Sequence, residues 1–292
     1  MDETILVVGA SGKFAGLVVP ELAARGANIR GMVHKAADIS AVREAGAQEV
    51  VVGDLGDPDS VAAALKGVGR VFYVAPVALP KEAEVGRAFV TAAIDAGVRR
   101  FVFSSVIHPV LSGLPNHAFK APVEDAVLNS HLEYVFLHPT VLFQNFAGAW
   151  DGIVQSGVIA EPWSNETRFS RVDYRDVAEV AAIALTEDRL LYGTFELCAD
   201  GWFDRNDIAA LIGDVLDHEI TPRRIDPDML PADAQAMRPM FDHYDTIGLR
   251  GNAVTLTAIL GREPRTLRAY FEQLADRSRQ SKDAEQRERI PA

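Results

Sequence analysis

Ile5-Leu6-Val7-Val8-Gly9-Ala10-Ser11-Gly12-Lys13-Phe14-Ala15-Gly16 carries the strongest local signal in the chain. A short apolar run ends in glycine, a second glycine stands three positions on, and a helical pattern opens from Leu17. A buried parallel strand that turns directly into a helix around a phosphate has this form. Gly9 allows a tight turn, and Gly12 lets the backbone approach a pyrophosphate. The first N–H groups of a helix starting near Lys13 then point at the anion, helped by the helix dipole. This makes Gly9, Ser11, Gly12, Lys13 and Phe14 cofactor-binding candidates. The spacing is G-x-x-G-x-x-A-G, with Ala15 where a third glycine often stands.

Outward from this turn, strands are expected at residues 28–33, 49–52, 71–74, 100–103 and 134–137. Helices are expected between them at 17–25, 38–45, 57–66, 81–96 and 118–130, with Asp38 and Asp57 as N-caps. Six strands alternating with helices predict an α/β fold, a doubly wound parallel sheet covered on both faces. Ligands of such sheets bind beyond the carboxyl ends of the strands. Gly9–Gly12, His34, Asp54, Ala75-Pro76, Ser104-Ser105 and Pro139-Thr140 should therefore line one crevice. Past residue 145 the alternation weakens. Residues 146–166 read as irregular cover, 176–185 as a helix, 194–197 as a strand and 204–215 as a helix. Residues 226–250 hold three prolines and three methionines and read as a lid. Helices at 252–260 and 265–274 precede a polar end. The expected organisation is a dinucleotide-binding domain over 1–145, to which 170–200 returns. A small C-terminal substrate or lid lobe takes 146–169 and 201–276, and 277–292 is a frayed polar tail.

The 292 residues are 48% hydrophobic and 24% charged, ordinary for a globular protein. A net charge of −12 argues against a nucleic-acid surface. Cys198 is the single cysteine, so no intrachain disulfide forms. The chain shows neither a basic, apolar leader nor a run of membrane-spanning length, and a cytoplasmic setting with no membrane contact is expected. His108, His131, His138, His218 and His243 lack metal-ligand spacing, so no metal is expected.

The motifs Gly9-Ala10-Ser11-Gly12, Gly53-Asp54-Leu55, Ala64-Leu65-Lys66-Gly67-Val68, Lys120-Ala121-Pro122-Val123-Glu124, His138-Pro139-Thr140 and Val172-Asp173-Tyr174-Arg175-Asp176-Val177-Ala178 occur in this order. Together they make residues 5–200 resemble the NmrA-like branch of the atypical short-chain dehydrogenase/reductase superfamily. The resemblance implies a Rossmann fold and NADP(H) binding. It admits NADPH-dependent reductases and also cofactor sensors that turn nothing over.

At the site, an acid after the second strand would hold the ribose 2′-OH of NAD. His34-Lys35 stands there instead and suits the 2′-phosphate of NADP. Asp54, followed by Leu55, would meet the adenine edge, and Ala75-Pro76 leaves room for the cofactor ribose. Ser104 and Pro139 lie at strand ends facing the same crevice. Lys120 matches the family's lysine, which holds the nicotinamide ribose and assists the catalytic Tyr four residues earlier. Here that position is Asn116, so the usual acid is missing; His117, one place off, is the alternative proton donor, beside water. Phe143, Phe146, Trp150, Trp163 and Trp202 either wall an apolar substrate pocket or pack a core. The function expected is NADPH-dependent reduction of a small, fairly apolar carbonyl, quinone or conjugated double bond. The alternative is a non-catalytic NADP(H) sensor that binds a protein partner. A homodimer stays open.

Overall fold

The computed structural model describes residues 3–76, 79–235 and 237–288. Its first strand, β1 (Thr4–Val8), has Ile5, Leu6 and Val7 at 0% exposure, so both faces are covered. A strand buried on both faces reads as a continuous apolar run, which is why β1 shows no alternation. The chain continues through a 3₁₀ turn (Ala15–Leu17), α1 (Val18–Ala24), β2 (Asn28–Val33), α2 (Ile39–Glu44), β3 (Glu49–Val52), α3 (Pro58–Leu65) and β4 (Val68–Tyr73). Then come α4 (Glu82–Asp95), β5 (Arg100–Ser104), α5 (Pro115–Ala118), α6 (Ala121–Leu128) and β6 (Glu133–Pro139). An excursion follows, with β7 (Val141–Leu142), a 3₁₀ stretch (Phe143–Gly148), α7 (Trp150–Ser156), β8 (Val158–Glu161) and β9 (Arg171–Val172). The chain returns with α8 (Tyr174–Thr186) and β10 (Gly193–Leu197). It ends in α9 (Arg205–Leu216), β11 (Thr221–Arg224), α10 (Ala232–Gln235), α11 (Arg238–Thr246), α12 (Val254–Leu260) and α13 (Leu267–Glu288).

Seven strands form one parallel sheet in the order β10-β6-β5-β4-β1-β2-β3. This is the doubly wound α/β sheet expected, and its strand order reverses between β1 and β4, where such folds bind their ligands. The chain divides into two compact units, Met1–Pro139 with Tyr174–Leu197, and Thr140–Asp173 with Cys198–Ala292. The sequence reading put these crossings near residues 145, 170 and 200.

In the first unit Phe72, Tyr73, Phe89, Phe101, Phe103 and Phe136 are at most 1% exposed. Helix α8 lies against β4, β5 and β6, and its Ala178, Ala181, Ala182 and Ala184 are fully buried. Small side chains let the helix axis come close to the sheet. Arg100, at 0% exposure, fixes the far end of α8. Its guanidinium donates to the carbonyls of Ala184 (3.0 Å) and Glu187 (2.7 Å) and to Glu133 (3.0 Å). Carbonyls left unpaired at a helix C-terminus, the negative end of the dipole, are natural partners for a cation.

In the second unit Phe143, Phe146 and Trp150 pack on Phe271 and Tyr270 of α13 and on Ile208 and Ile212 of α9. These three aromatics are core, not pocket wall. Trp163 packs with Phe169, Phe241 and Tyr244, while Trp202 stays 53% exposed. Gly248 lies so close to Arg168 that an added Cβ would sit 2.0 Å from its carbonyl oxygen. Nearby, a cleft of about 310 Å³ is lined by polar residues including Arg168, Asp245, Thr246 and Arg250.

Several local expectations are corrected. The helix after the first turn starts as 3₁₀ at Ala15 and as α at Val18, later than Lys13. Pro20 then falls in the first turn of α1, where a missing N–H costs nothing. The helix expected over 118–130 is two helices, because Pro122 cannot donate to the carbonyl four residues back and its ring would clash there. Residues 146–166 hold α7 and β8, and the lid-like segment holds α11, whose Tyr244 is buried. Residues 277–288 continue α13 rather than fray; the last four residues lie outside the described ones. Among the described residues no helix is long and apolar enough to cross a membrane.

Candidate active site

The candidate site belongs to the first unit, at the carboxyl ends of β1 to β6. β1 runs directly into Gly9, at φ +69°, a left-handed conformation that suits glycine. The chain folds back so that the Gly12 N–H donates to the Gly9 carbonyl at 2.7 Å. A Cβ on Gly12 would lie 3.0 Å from that same oxygen. A side chain at Gly12 would therefore crowd the turn itself, before any ligand is considered. Among the described residues the N–H groups of Ser11, Lys13 and Phe14 have no protein acceptor. Ser11, Gly12 and Lys13 are exposed, so these donors form an open cradle for an anion.

The turn is held from two sides. Ser11 Oγ donates to Asp38 Oδ2 at 2.8 Å, so Asp38 braces the turn and does not cap α2. Lys13 Nζ lies 5.5 Å over the Phe14 ring, and partial burial lowers its pKa. The Phe14 ring lies 4.9 Å from Tyr174, whose hydroxyl donates to Ser104 Oγ at 2.8 Å. Phe14 and Ser104 are thus joined through the first residue of α8. Burial pushes the Tyr174 phenol well above its usual pKa, so it stays a donor.

Across the edge, His34 and Lys35 are exposed after β2. Asp54 is exposed; its Oδ1 accepts the Gly56 N–H at 2.8 Å, and its own N–H donates to Ser60 Oγ at 2.9 Å. This Asx-turn leaves Asp54 Oδ2 open while Leu55 and Ala75 pack on the core. Pro76 is exposed after β4, and the buried Pro139 carbonyl accepts the Ile107 N–H at 3.0 Å.

Lys120, at the N-cap of α6, is ion-paired to Glu82 in the first turn of α4. Their side chains are 13% and 8% exposed. Glu124, one turn after Lys120, accepts from Ser105 Oγ and from His138 Nε2 (2.9 Å), so β5, β6 and α6 meet at one carboxylate. His117 is 1% exposed, with Nδ1 3.0 Å from the His108 carbonyl. Sequence reasoning missed Tyr174, Glu82 and Glu124 as site residues. Tyr174 and Glu124 lay inside quoted motifs, while no local signal marked Glu82.

With this geometry in hand, comparison with known proteins decides the family. The NmrA-like family model matches residues 1–272. The chain belongs to the NmrA-like family. An NAD(P)H azoreductase of Xenophilus azovorans is 33% identical over 188 residues, 63% of this chain and 63% of that protein. This NmrA-like chain also resembles the triphenylmethane reductase of Citrobacter sp. complexed with NADP(H), at TM-score 0.83 and 20% identity over 92% of this chain and 99% of that one. The NADPH-dependent quinone oxidoreductase of Escherichia coli complexed with NADPH gives TM-score 0.83 and 21% identity, again over 92% and 99%. At these identities the structural likeness speaks for the fold.

Proposed function

We propose that this chain is an NADPH-dependent reductase of small, fairly apolar, conjugated acceptors. The observation that carries it is the Gly9–Gly12 turn at the switch point of the sheet, with three backbone donors open to an anion. The residues present fit a dinucleotide. Ser11, Gly12, Lys13 and Phe14 would hold the pyrophosphate, and His34 and Lys35 the 2′-phosphate. Asp54 and Leu55 would meet the adenine, Ala75 and Pro76 would border a ribose, Ser104 and Pro139 would close the edge, and Lys120 would hold the nicotinamide ribose.

NADPH supplies a hydride, two electrons with one proton, and one further proton completes reduction of a quinone or conjugated carbonyl. The chain's own part is to place the acceptor and exclude competing chemistry. The further proton fits water better than His117, whose ring is buried against the His108 carbonyl. The relatives' names point to reduction as well: an NAD(P)H azoreductase, a triphenylmethane reductase and an NADPH-dependent quinone oxidoreductase.

The test is NADPH absorbance followed across quinones, enals, imines and azo compounds, with wild type, His117→Ala and Lys120→Ala side by side. Turnover kept in His117→Ala and lost in Lys120→Ala supports the assignment. Tight NADP(H) binding without oxidation by any acceptor would replace the reductase with a cofactor sensor.

A further inference from the structure

The Lys120–Glu82 pair contains an electrostatic oddity. Lys120 stands at the N-cap of α6, the positive end of that helix, where a cation is disfavoured and Ser, Thr, Asp or Asn is usual. The ammonium is mostly covered as well. What offsets both penalties is Glu82, which comes from the facing helix α4 and sits in its first turn, where an anion is favoured.

The two helices are brought together one turn further along. Gly86, four residues after Glu82, faces Val123, three after Lys120; a Cβ on Gly86 would lie 2.5 Å from Val123 Cγ2. The contact therefore fixes the spacing at which Glu82 meets Lys120. Glu124, one turn after Lys120, accepts from Ser105 just past β5, and Gly86, one turn after Glu82, faces Tyr73 at the end of β4, so the pair stands near the sheet edge where ligands of this fold bind.

A third group faces the same place. The hydroxyl of Tyr73, the last residue of β4, is fully buried and, among the described residues, has no hydrogen-bond partner. It would lie 3.4 Å from a Cβ on Gly86, on the face of α4 that carries Glu82 one turn earlier. Burial, and secondarily the Glu82 charge, hold this phenol protonated. A buried hydroxyl without a partner is costly unless another arrangement satisfies it.

We propose that Glu82 is the positioning residue for Lys120, and that the Tyr73 hydroxyl is its reserve donor. Glu82 keeps the ammonium at the sheet edge before the cofactor arrives. When cofactor ribose hydroxyls draw on Lys120, Tyr73 donates to Glu82 in its place. The inference rests on the reductase reading and adds to it two residues that touch neither cofactor nor acceptor.

The experiment uses the full chain, with Glu82→Gln, Glu82→Asp, Tyr73→Phe and the double variant Tyr73→Phe/Glu82→Gln. Calorimetric titration gives the NADPH Kd, thermal melting gives the cofactor-free Tm, and kcat and KM are measured separately. Glu82→Gln should raise the NADPH Kd about tenfold, the scale of one partly buried charge pair, with Glu82→Asp in between. Tyr73→Phe should leave the cofactor-free Tm unchanged or raise it, because the hydroxyl it removes is unpaired there, but should raise the NADPH Kd about threefold, the size of a modest hydrogen bond. That rise should vanish in the Glu82→Gln background. A wild-type Kd in Glu82→Gln with only a lowered Tm would make the pair merely structural and overturn the proposal. An equal Tyr73→Phe effect in both backgrounds would overturn the reserve-donor role. Should Glu82→Gln fail to fold, Glu82→Asp and Tyr73→Phe decide alone, and wild-type Kd values in both would overturn it. Wild type that binds no NADPH would overturn the reductase reading together with this one.

Discussion

Replacing Gly12 with Val tests the reading at its narrowest point. A Cβ there lies 3.0 Å from the Gly9 carbonyl, the same oxygen that accepts the Gly12 N–H at 2.7 Å. That neighbour is backbone, so it yields only if the turn opens by some tenths of an ångström, and the two Val methyls demand more. Opening the turn misaligns the N–H groups of Ser11, Lys13 and Phe14. A hydrogen bond to a charged group contributes about 1.5–3 kcal/mol. Losing the equivalent of one should weaken NADPH binding by about 2 kcal/mol, or roughly thirtyfold. Losing two approaches a thousandfold, with Gly12→Ala in between. The turn is exposed and leaves the core untouched, so unfolding free energy should fall by no more than about 1 kcal/mol. Calorimetric titration with NADPH, paired with urea unfolding of the same samples, separates the two effects. A cooperatively folded Gly12→Val protein that binds NADPH with the wild-type Kd would show that this turn does not hold the pyrophosphate.

NADPH should bind about tenfold more tightly than NADH, or roughly 1.4 kcal/mol, through His34 and Lys35. Titration with both cofactors, repeated in high salt and in the His34→Ala/Lys35→Ala double variant, should remove that margin; equal affinities in wild type would count against it. Gly248→Ala should lower the urea midpoint by the equivalent of about 2 kcal/mol or more, because its Cβ would meet a backbone oxygen at 2.0 Å, and an unchanged midpoint would contradict the packing described. Hydrogen bonding from Arg99, then from Arg70, holds the Glu3 carboxyl down at about 2. A depressed carboxyl contributes stability above its ordinary pKa of 4.5 that is lost as pH falls toward 2. With the side chain 40% exposed the effect stays under about 1 kcal/mol, and Glu3→Gln should flatten the acid limb of the unfolding profile to that extent. Burial raises the phenols of Tyr73 and Tyr174 in the folded state, so stability should hold below about pH 10 and decline above it as unfolded tyrosines ionise. Urea unfolding across pH 8–11 of wild type and Tyr174→Phe reads this; identical alkaline limbs would refute it for Tyr174.

The sheet was legible because its central strands are buried on both faces and leave uninterrupted apolar runs such as Ile5-Leu6-Val7-Val8 and Phe101-Val102-Phe103. The first turn was legible because glycine spacing is a local signal. What stayed hidden was what distant crossovers bring together. Nothing in the composition around Lys120 indicates that its partner is Glu82, and nothing around Ser104 points to Tyr174. Strands β8 and β11 escaped notice because Val158–Glu161 and Thr221–Arg224 pair as a small two-stranded sheet without an apolar rhythm, the second carrying Pro222. Phe143, Phe146 and Trp150 illustrate a different limit, since an aromatic wall and an aromatic core have the same composition until packing separates them. Pro122 did carry its message, and only the apolar pattern running through it hid the break between α5 and α6.

The return of the chain to its first unit at Tyr174 also has a consequence for synthesis. A nascent chain that has emerged only through residue 173 holds six of the seven strands of the parallel sheet, yet lacks α8, the helix that lies over β4, β5 and β6. Until that helix emerges, one broad apolar face of the sheet stays wet. The guanidinium of Arg100 meanwhile waits for carbonyls at positions 184 and 187 that have not yet emerged. Closing the first unit is therefore a late event, with more than half of the polypeptide already outside the ribosome, and until then the uncovered sheet face is a surface open to misassembly.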